Sequence, residues 1–470
     1  LEFRRVLFRS IYLKQKLSAS ELVSIASMLF GMFFGAGNLI FPIALGQYAG
    51  RNMWIAFIGL VITAVGIPLL GVTAIGISRS DGLIELSGKV NRGYSVFFTC
   101  ALYLTIGPFF AIPRCAAVPF TIGVKPMLAP GASEKFSLAI FSVIFFIIVL
   151  GFSLFPGKIL TWVGRILNPL FLIFLGVLVI TALIKPMGVI HNAEPMGNYA
   201  NGPFMAGFIE GYGTMDALAS LAFGIVVITV IRGLGIEEPK AVAKNTVKAG
   251  FFSCLFMGII YLAVTVVGAQ SRGVFTIGEG QNGGDVFAFV ANHYFGKVGA
   301  VILAVMVTFA CLKTAVGLVT SCSETFCKLF PKALTYRAWA VIFSVVSFLI
   351  ANIGLTSIIG YSLPVLMFLY PLSITLILLG IFGSFFGHSK WVYGFVTGFT
   401  LFEAIFDLLV ALPSGLFAKL PSVVNPEAIK AFACKIFPLF DMGLGWICPA
   451  FIGMVIGIII NFAVKKTKNA

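Results

Sequence analysis

Two glycine-rich stretches in this sequence could bind a small polar solute inside a membrane. Gly35-Ala36-Gly37-Asn38 interrupts the first long apolar run, and Gly211-Tyr212-Gly213, which leads into Asp216, interrupts the sixth. Where a helix unwinds in a bilayer, its freed N–H and C=O groups need polar partners, and a half-helix N-terminus attracts a carboxylate. Paired breaks therefore predict a cavity for a zwitterion. The alternative is that these glycines only permit close packing or a kink.

Two ionisable residues of the apolar runs could couple solute binding to an ion. Lys313, followed by Thr314, lies in the middle of the eighth run, and Asp216 directly follows the break in the sixth. Charges at such depth are costly and usually functional, and a buried lysine could release and recapture a proton. Lys313 could instead face a wet cavity or extend its ammonium group to the interface. Asp216 could orient the unwound segment, pair with Lys313 or cap the helix that resumes.

Other polar residues of the apolar runs give weaker indications. Tyr103 and Tyr212 are candidates for the pocket that holds the apolar part of the solute. Arg114 is expected near the outer end of the third run, where it could only reach the interface. Glu403 and Asp407 lie four residues apart on one helix face and are interpreted as packing or interface charges.

The elements that must position these residues are membrane-spanning helices. The chain has 470 residues, of which 59% are hydrophobic and only 10% charged, whereas a soluble domain has about 25% charged residues. Apolar runs of about 20 residues, long enough to cross a hydrocarbon core of about 30 Å, recur throughout. The fold class is therefore all-α and polytopic, with about twelve transmembrane helices. The predicted spans lie at about 20–41, 52–77, 94–123, 136–154, 159–184, 204–231, 247–269, 298–323, 336–351, 355–381, 391–412 and 440–464.

The order of the spans predicts two repeats of five helices, followed by two more. Spans 1 and 6 carry the breaks, so the repeats cover about 20–184 and 204–381, with additional helices over 391–464 of a single transporter domain, 11–464. Lys and Arg are more frequent in the loops that are cytoplasmic when both termini are cytoplasmic, so this orientation is predicted. Residues 465–470 would then form a basic cytoplasmic tail. The longest loops, 185–203, 270–297 and 413–439, are then outside. Residues 1–10 lack an initiator Met and resemble translated cloning or adaptor sequence.

Several function classes are excluded or disfavoured by what the sequence lacks. The net charge of +15 is scattered over short loops, so no nucleic-acid partner is expected beside the lipid bilayer. The eight cysteines have no metal-binding spacing and suit packing, although Cys434 and Cys448 could pair outside the membrane. No motif of an intramembrane enzyme and no repeated channel filter occurs. We expect no enzyme activity, no cofactor and no metal site beyond the coupling ion.

Four blocks of sequence resemble one transporter family. The blocks are GMFFGAGNLIFP (31–42), GPFFAIPR (107–114), GYGTMDALASLAFGI (211–225) and ACLKTAVGLVTSCSE (310–324), which are similar to the signatures of the branched-chain amino acid:cation symporter family. The resemblance implies a leucine-transporter-type fold with a five-plus-five inverted repeat, located in the bacterial cell membrane. It also implies leucine, isoleucine and valine as substrates, without a preference among them or an oligomeric state.

A more distant similarity suggests roles for individual residues. The segment from Gly35 to Pro42 is similar to the GxGN…FP segment of sodium-coupled neurotransmitter-type symporters. By that resemblance Ala36 and Gly37 hold the substrate carboxylate, and Asn38 contacts a cation or the substrate. The carbonyls of Gly31 and Phe34 would then face a second cation site.

The eighth span departs from that distant family. There, two hydroxyl residues bind sodium, and in this chain Lys313 replaces the first of them, ahead of Thr314. An ammonium group at this place could substitute for the sodium ion, which favours proton coupling. The alternative is a sodium-coupled symporter of the same fold.

Overall fold

The protein is built from helices that match the predicted spans. The computed structural model describes residues 16–78, 80, 82–154, 158–413 and 426–469, and only the backbone of 158–168, 170, 171, 468 and 469. The predicted adaptor segment, 1–10, lies outside these residues. Within the described part, nine helices are long and apolar enough to cross a membrane, and three shorter apolar helices complete the set. Ala36–Ile77 contains the end of span 1 and all of span 2.

The helices are named α1 to α12 after the spans. The two halves of α1 are α1a (Ala19–Phe33) and α1b (Ala36–Ala49), and those of α6 are α6a (Pro203–Glu210) and α6b (Asp216–Gly233). In α2, Met53–Val61 and Ile67–Ile77 are joined by a π-helical turn, and α3 contains Arg92–Leu104 and Ala111–Pro119. The others are α4 (Glu134–Leu154), α5 (Lys158–Ile184), α7 (Pro239–Ser271), α8 (Gly283–Leu329), α9 (Tyr336–Ala351), α10 (Leu355–Phe382), α11 (Lys390–Ala411) and α12 (Ile447–Asn469).

Local sequence explains where several helices begin. Ser18 and Glu21 form a capping box at the start of α1a, and Asn282 with Asp285 does the same for α8. These side chains satisfy backbone N–H groups that have no partner within the helix. Pro239, at the first position of α7, has no backbone N–H group and therefore needs no capping acceptor.

Several helices begin or end outside the predicted spans; for example, α1b continues to Ala49 and α7 begins at Pro239. Helix α8 begins fifteen residues before the predicted 298, because the capping box at Asn282 starts a helix that bends at Gly296, where φ is +58°. The predicted outside loop 270–297 is therefore helical from Gly283 onward. A further helix, Pro426–Ile436, lies in the loop 413–439. The predicted basic tail continues α12 as far as Asn469.

Helices 1, 2, 6 and 7 form a central bundle with matching contacts. Helix α1 packs along α7, and α6 packs along α2, as expected if 1 and 2 correspond to 6 and 7 in a repeat. Both contacts depend on glycine. A Cβ on Gly268 of α7 would lie 2.2 Å from the carbonyl oxygen of Ile43, and one on Gly207 of α6a would lie 1.9 Å from that of Ala56. Close backbone approach of this kind is how membrane helices associate.

Candidate functional site

The break in α1 leaves a buried helix N-terminus in the middle of the bundle. Phe34 and Gly35 have extended backbones, and the helix resumes at Ala36. The N–H of Gly35 donates to Oδ1 of Asn38 at 2.7 Å, so this side chain closes the first turn of α1b. The N–H groups of Ala36 and Gly37 have no partner within the helix and are available to an anion.

The break in α6 combines a tight turn with one left-handed residue. Gly211–Thr214 forms a 3-10 turn, and Met215 has φ +63° and ψ +11° before α6b begins at Asp216. Such a backbone costs a side-chain-bearing residue about 1–2 kcal/mol. Hydrogen bonds within the turn offset part of this cost, since Thr214 Oγ1 donates to the carbonyl of Gly211 at 2.9 Å.

The two breaks face each other across one small cavity. A Cβ on Gly37 would lie 3.3 Å from the backbone of Thr214, which shows how closely the breaks approach. The cavity has a volume of about 40 Å³. Its polar and backbone walls come from both breaks, α3 and α8, and its remaining walls are apolar side chains. The lining residues are Met32, Phe33, Gly35, Ala36, Gly37, Asn38, Ile106, Ala111, Arg114, Cys115, Thr214, Met215, Asp216, Ala219, Phe223, Thr314 and Leu318.

A buried hydrogen-bond network links the break in α1 to α6b and α7. Asn38 Nδ2 donates to Asp216 Oδ2 at 2.9 Å and also contacts the hydroxyl of Tyr261. Tyr261 in turn donates its hydroxyl to Asp216 Oδ2 at 2.6 Å. All three side chains are at most 2% exposed. Asp216 therefore binds Asn38 and Tyr261 and neither pairs with Lys313 nor caps α6b, whose N-cap is Met215.

Arg114 supplies a buried positive charge on the opposite wall. Its guanidinium donates to the carbonyl oxygen of Gly213 at 2.7 Å and lies 5.4 Å from the ring centroid of Phe41. The side chain is only 2% exposed. The expectation that Arg114 only reaches the interface is therefore wrong, because the bend of α3 at Gly107 and Pro108 directs the residue inward. No ion pair within 4.0 Å joins it to Asp216 among the described residues, so N–H groups of Arg114 remain for a ligand.

Six of the residues predicted for substrate or ion binding line the cavity. They are Gly35, Ala36, Gly37, Asn38, Asp216 and Thr314. The other seven predicted residues are buried or half-buried nearby without lining it; they are Gly31, Phe34, Tyr103, Gly211, Tyr212, Gly213 and Lys313. Their proposed roles in binding stay predictions.

The structure shows what several of these residues contact instead. Tyr212 stacks on Tyr370 of α10 with ring centroids 3.9 Å apart, and neither tyrosine lines the cavity. A Cβ on Gly211 would lie 1.9 Å from Thr63 Oγ1, so this glycine is needed for packing against α2. The carbonyl of Tyr103 accepts from the thiol of Cys322 in α8.

Lys313 lies one residue before the cavity wall. It is half-buried in α8, and Thr314 beside it contributes to the lining. Within the described part of the chain, no carboxylate lies within 4.0 Å of its ammonium nitrogen.

The sequence patterns did not predict that Arg114 lines the cavity or that Tyr261 binds Asp216. Arg114 could have been found because it lies in a block, GPFFAIPR, with two prolines and a glycine that predict a bend. Tyr261 carries no local signal, since it is one tyrosine in the long apolar helix α7.

The structure distinguishes between the alternatives that the sequence left open for the cysteines and for the acidic pair of α11. All eight cysteines are free, so the alternative of a Cys434–Cys448 disulfide is not realised. Glu403 and Asp407, interpreted above as packing or interface charges, are 0% and 4% exposed and lie inside the protein.

Comparisons with known proteins match nearly the whole chain. The model of the family described as branched-chain amino acid transport protein matches residues 18–464. The chain is 50% identical to the branched-chain amino acid permease BrnQ of Lactobacillus delbrueckii subsp. lactis over 93% of this chain and 96% of that protein. It is 42% identical to BrnQ of Bacillus subtilis strain 168 over 97% of this chain and all of that protein.

Two solved transporters share the fold at low sequence identity. The inward-facing structure of Mhp1 aligns with a TM-score of 0.61 and 16% identity, covering 95% of this chain and 91% of that one. MhsT in complex with L-phenylalanine aligns with a TM-score of 0.53 and 17% identity, covering 95% and 98%. These similarities concern the fold alone.

Proposed function

This chain belongs to the branched-chain amino acid transport protein family, and from that premise we propose that it imports leucine, isoleucine and valine in symport with a proton. It is a multi-pass membrane transporter and not an enzyme. In our proposal both termini are cytoplasmic, and the substrate is bound where the breaks of α1 and α6 meet.

The observation that carries the proposal is the charge arrangement of the cavity between the breaks. The N-terminus of α1b and the guanidinium of Arg114 offer donors to a carboxylate, while Asp216 offers acceptors to an ammonium group. A zwitterionic amino acid presents both groups at a fixed short separation. The apolar walls, which include Ile106, Phe223 and Leu318, suit an uncharged aliphatic side chain.

The size of the cavity implies a conformational change during transport. Its volume of about 40 Å³ leaves room for only a few water molecules, since one water needs about 10–15 Å³ of such space. A leucine cannot enter without separation of the two breaks. Transporters of this architecture open and close by moving one bundle against another around a fixed site, so a cavity of this small size fits one state of that cycle.

The position of Lys313 supports proton coupling. Helix α8 packs against α1b, and Thr314 reaches the cavity from the turn that holds Lys313. In the proposed cycle, protonated Lys313 occupies the place of a bound cation between α8 and α1. Release of the proton weakens this attachment, which gives the transport cycle a step that a proton gradient can drive.

The test is uptake of radiolabelled leucine by the purified protein in liposomes under imposed gradients. We expect an inward proton gradient without sodium to drive accumulation, and valine and isoleucine to compete. Accumulation that requires sodium and ignores the proton gradient would favour the sodium-coupled alternative. Absence of saturable leucine uptake under either gradient would contradict the proposed substrate class.

A further inference from the structure

A second group of buried charges lies outside the substrate cavity, on α11. Glu403 and Asp407 are separated by one helical turn and are 0% and 4% exposed. Both carboxylate oxygens of Glu403 and Oδ2 of Asp407 have no hydrogen-bond partner in the described part of the chain. No lysine or arginine among the described residues forms an ion pair with either carboxyl group.

The carboxyl groups occupy a closely fitted pocket. A Cβ on Gly445, just before α12, would lie 2.4 Å from Oε1 of Glu403, so a larger residue there would require the Glu403 carboxyl group to shift. The indole N–H of the next residue, Trp446, is buried and has no partner in the described structure. The Glu403 carboxyl group is therefore in close contact with Gly445, and Glu403, Asp407 and Trp446 all carry buried polar atoms without a partner among the described residues.

The pocket adjoins the break in α6. Tyr212 of that break and Tyr370 of α10 are both 0% exposed, and neither hydroxyl has a partner among the described residues. Helix α10 packs against both α11 and the turn Gly211–Thr214, and its Tyr370 stacks on Tyr212. Among the described residues, the elements that pack against α11 carry further titratable groups: Tyr361 of α10, Cys448, Lys465 and Lys466 of α12, and Glu427, Lys430, Cys434 and Lys435 of the helix Pro426–Ile436. Lys430 is 57% exposed and lies 3.9 Å from Asp441.

Two ionised carboxylates cannot share such a pocket. Both are buried away from bulk solvent and form no ion pair with a described residue, and like charges one helical turn apart repel each other in a medium of low polarity. A proton bound by either oxygen forms an O–H bond, lowers the charge of the pair from −2 to −1 and creates the donor that both acids lack. No metal ligand set is needed, and no other reactant takes part.

We propose that Glu403 and Asp407 form a proton-binding site, and that its occupancy is transmitted to the break in α6 through Tyr212. The proposal that the pair binds a proton depends only on the burial of the two acids and on their lack of partners among the described residues. Its link to transport rests on the proposed function, because α6b supplies Asp216 to the substrate cavity. The protein then has a second titrating site besides Lys313, on the other side of the α6 break.

Infrared difference spectroscopy of the purified protein in lipid tests proton binding without any substrate. Wild type should show a pH-dependent carbonyl stretch of a protonated carboxylic acid that is lost from the Glu403→Gln/Asp407→Asn double variant. Glu324→Gln, which changes an exposed acid of α8, serves as the control and should keep the signal. The amide variants preserve side-chain size, and thermal unfolding in detergent confirms that they fold. An unchanged acid signal in the double variant overturns the proposal.

The pH profile of leucine uptake tests the link to α6. Glu403→Gln removes one of the two carboxyl groups, so the pair can no longer share a proton and uptake should lose part of its dependence on external pH, whereas Glu403→Asp should restore it and Glu324→Gln should match wild type. A Glu403→Gln profile identical to wild type overturns the link. Failure of wild-type leucine uptake would instead contradict the proposed function and leave the infrared result intact.

Discussion

At the scale of single residues, the cavity is defined by groups that lack a full set of partners. Asp216 is held by Asn38 and Tyr261, and Arg114 is held by a single carbonyl. Burying charges of opposite sign on separate walls costs free energy unless a polar group bridges them. A zwitterion does so, which gives a physical reason for binding an amino acid at this place.

The first residue-scale prediction concerns the N-terminus of α1b. Replacement of Gly37 by Val should lower leucine uptake by about 10-fold or more, because a Cβ there already lies 3.3 Å from Thr214 and further atoms would cost about 1–3 kcal/mol. The measurement is leucine affinity and uptake in liposomes. Gly317→Val is the matched control, since no atom lies within 4 Å of its Cβ position. Wild-type affinity in a folded Gly37→Val protein would remove this N-terminus from the binding site.

The second residue-scale prediction concerns coupling. Replacing Lys313 by Thr places a hydroxyl residue beside Thr314, so the variant should lose uptake driven by a proton gradient and should respond to sodium instead. The measurement is leucine accumulation under each gradient separately. Lys297→Thr, which changes a lysine near the bend of the same helix, is the control. Unchanged proton-driven transport by Lys313→Thr would make Lys313 a structural charge.

At the scale of elements, glycine contacts join α1b to α7. Gly268→Leu should destabilise the protein strongly, because even its Cβ would lie 2.2 Å from the carbonyl of Ile43 and forced separation of the helices costs at least about 1–3 kcal/mol. Gly258→Leu on the same helix is the control, as its nearest neighbour is a Val65 methyl at 3.9 Å. Thermal unfolding in detergent measures both. Equal unfolding temperatures of the two variants would show that α1b and α7 separate easily.

At the scale of the whole molecule, substrate selection depends on closing the two breaks around a ligand. Leucine at 100 times its dissociation constant should stabilise the folded protein by about 2.7 kcal/mol, whereas lysine and glutamate should not. Their third charge would enter a pocket whose two charged groups are already matched by the zwitterion. Unfolding temperature and competition with labelled leucine measure this selectivity. Equal competition by lysine would contradict both the pocket and the substrate class.

The sequence by itself determined the spans, the two breaks and their correspondence. These features are local: hydrophobic length sets a span, and a helix interrupted by glycines is visible wherever it occurs. It also identified six of the residues around the cavity, all of which belong to the breaks or to the turn of α8 beside them.

Only the tertiary structure decided which other side chains turn toward those breaks. Lipid-facing and protein-facing surfaces of a membrane helix are both apolar, so the sequence pattern does not show how a helix is rotated. Arg114 enters the site through the bend of α3, Tyr261 through the packing of α7, and Glu403 becomes buried between α10 and α12. Tyr212 turns the other way, toward Tyr370. Each orientation depends on contacts between helices far apart in the chain, which no local pattern encodes.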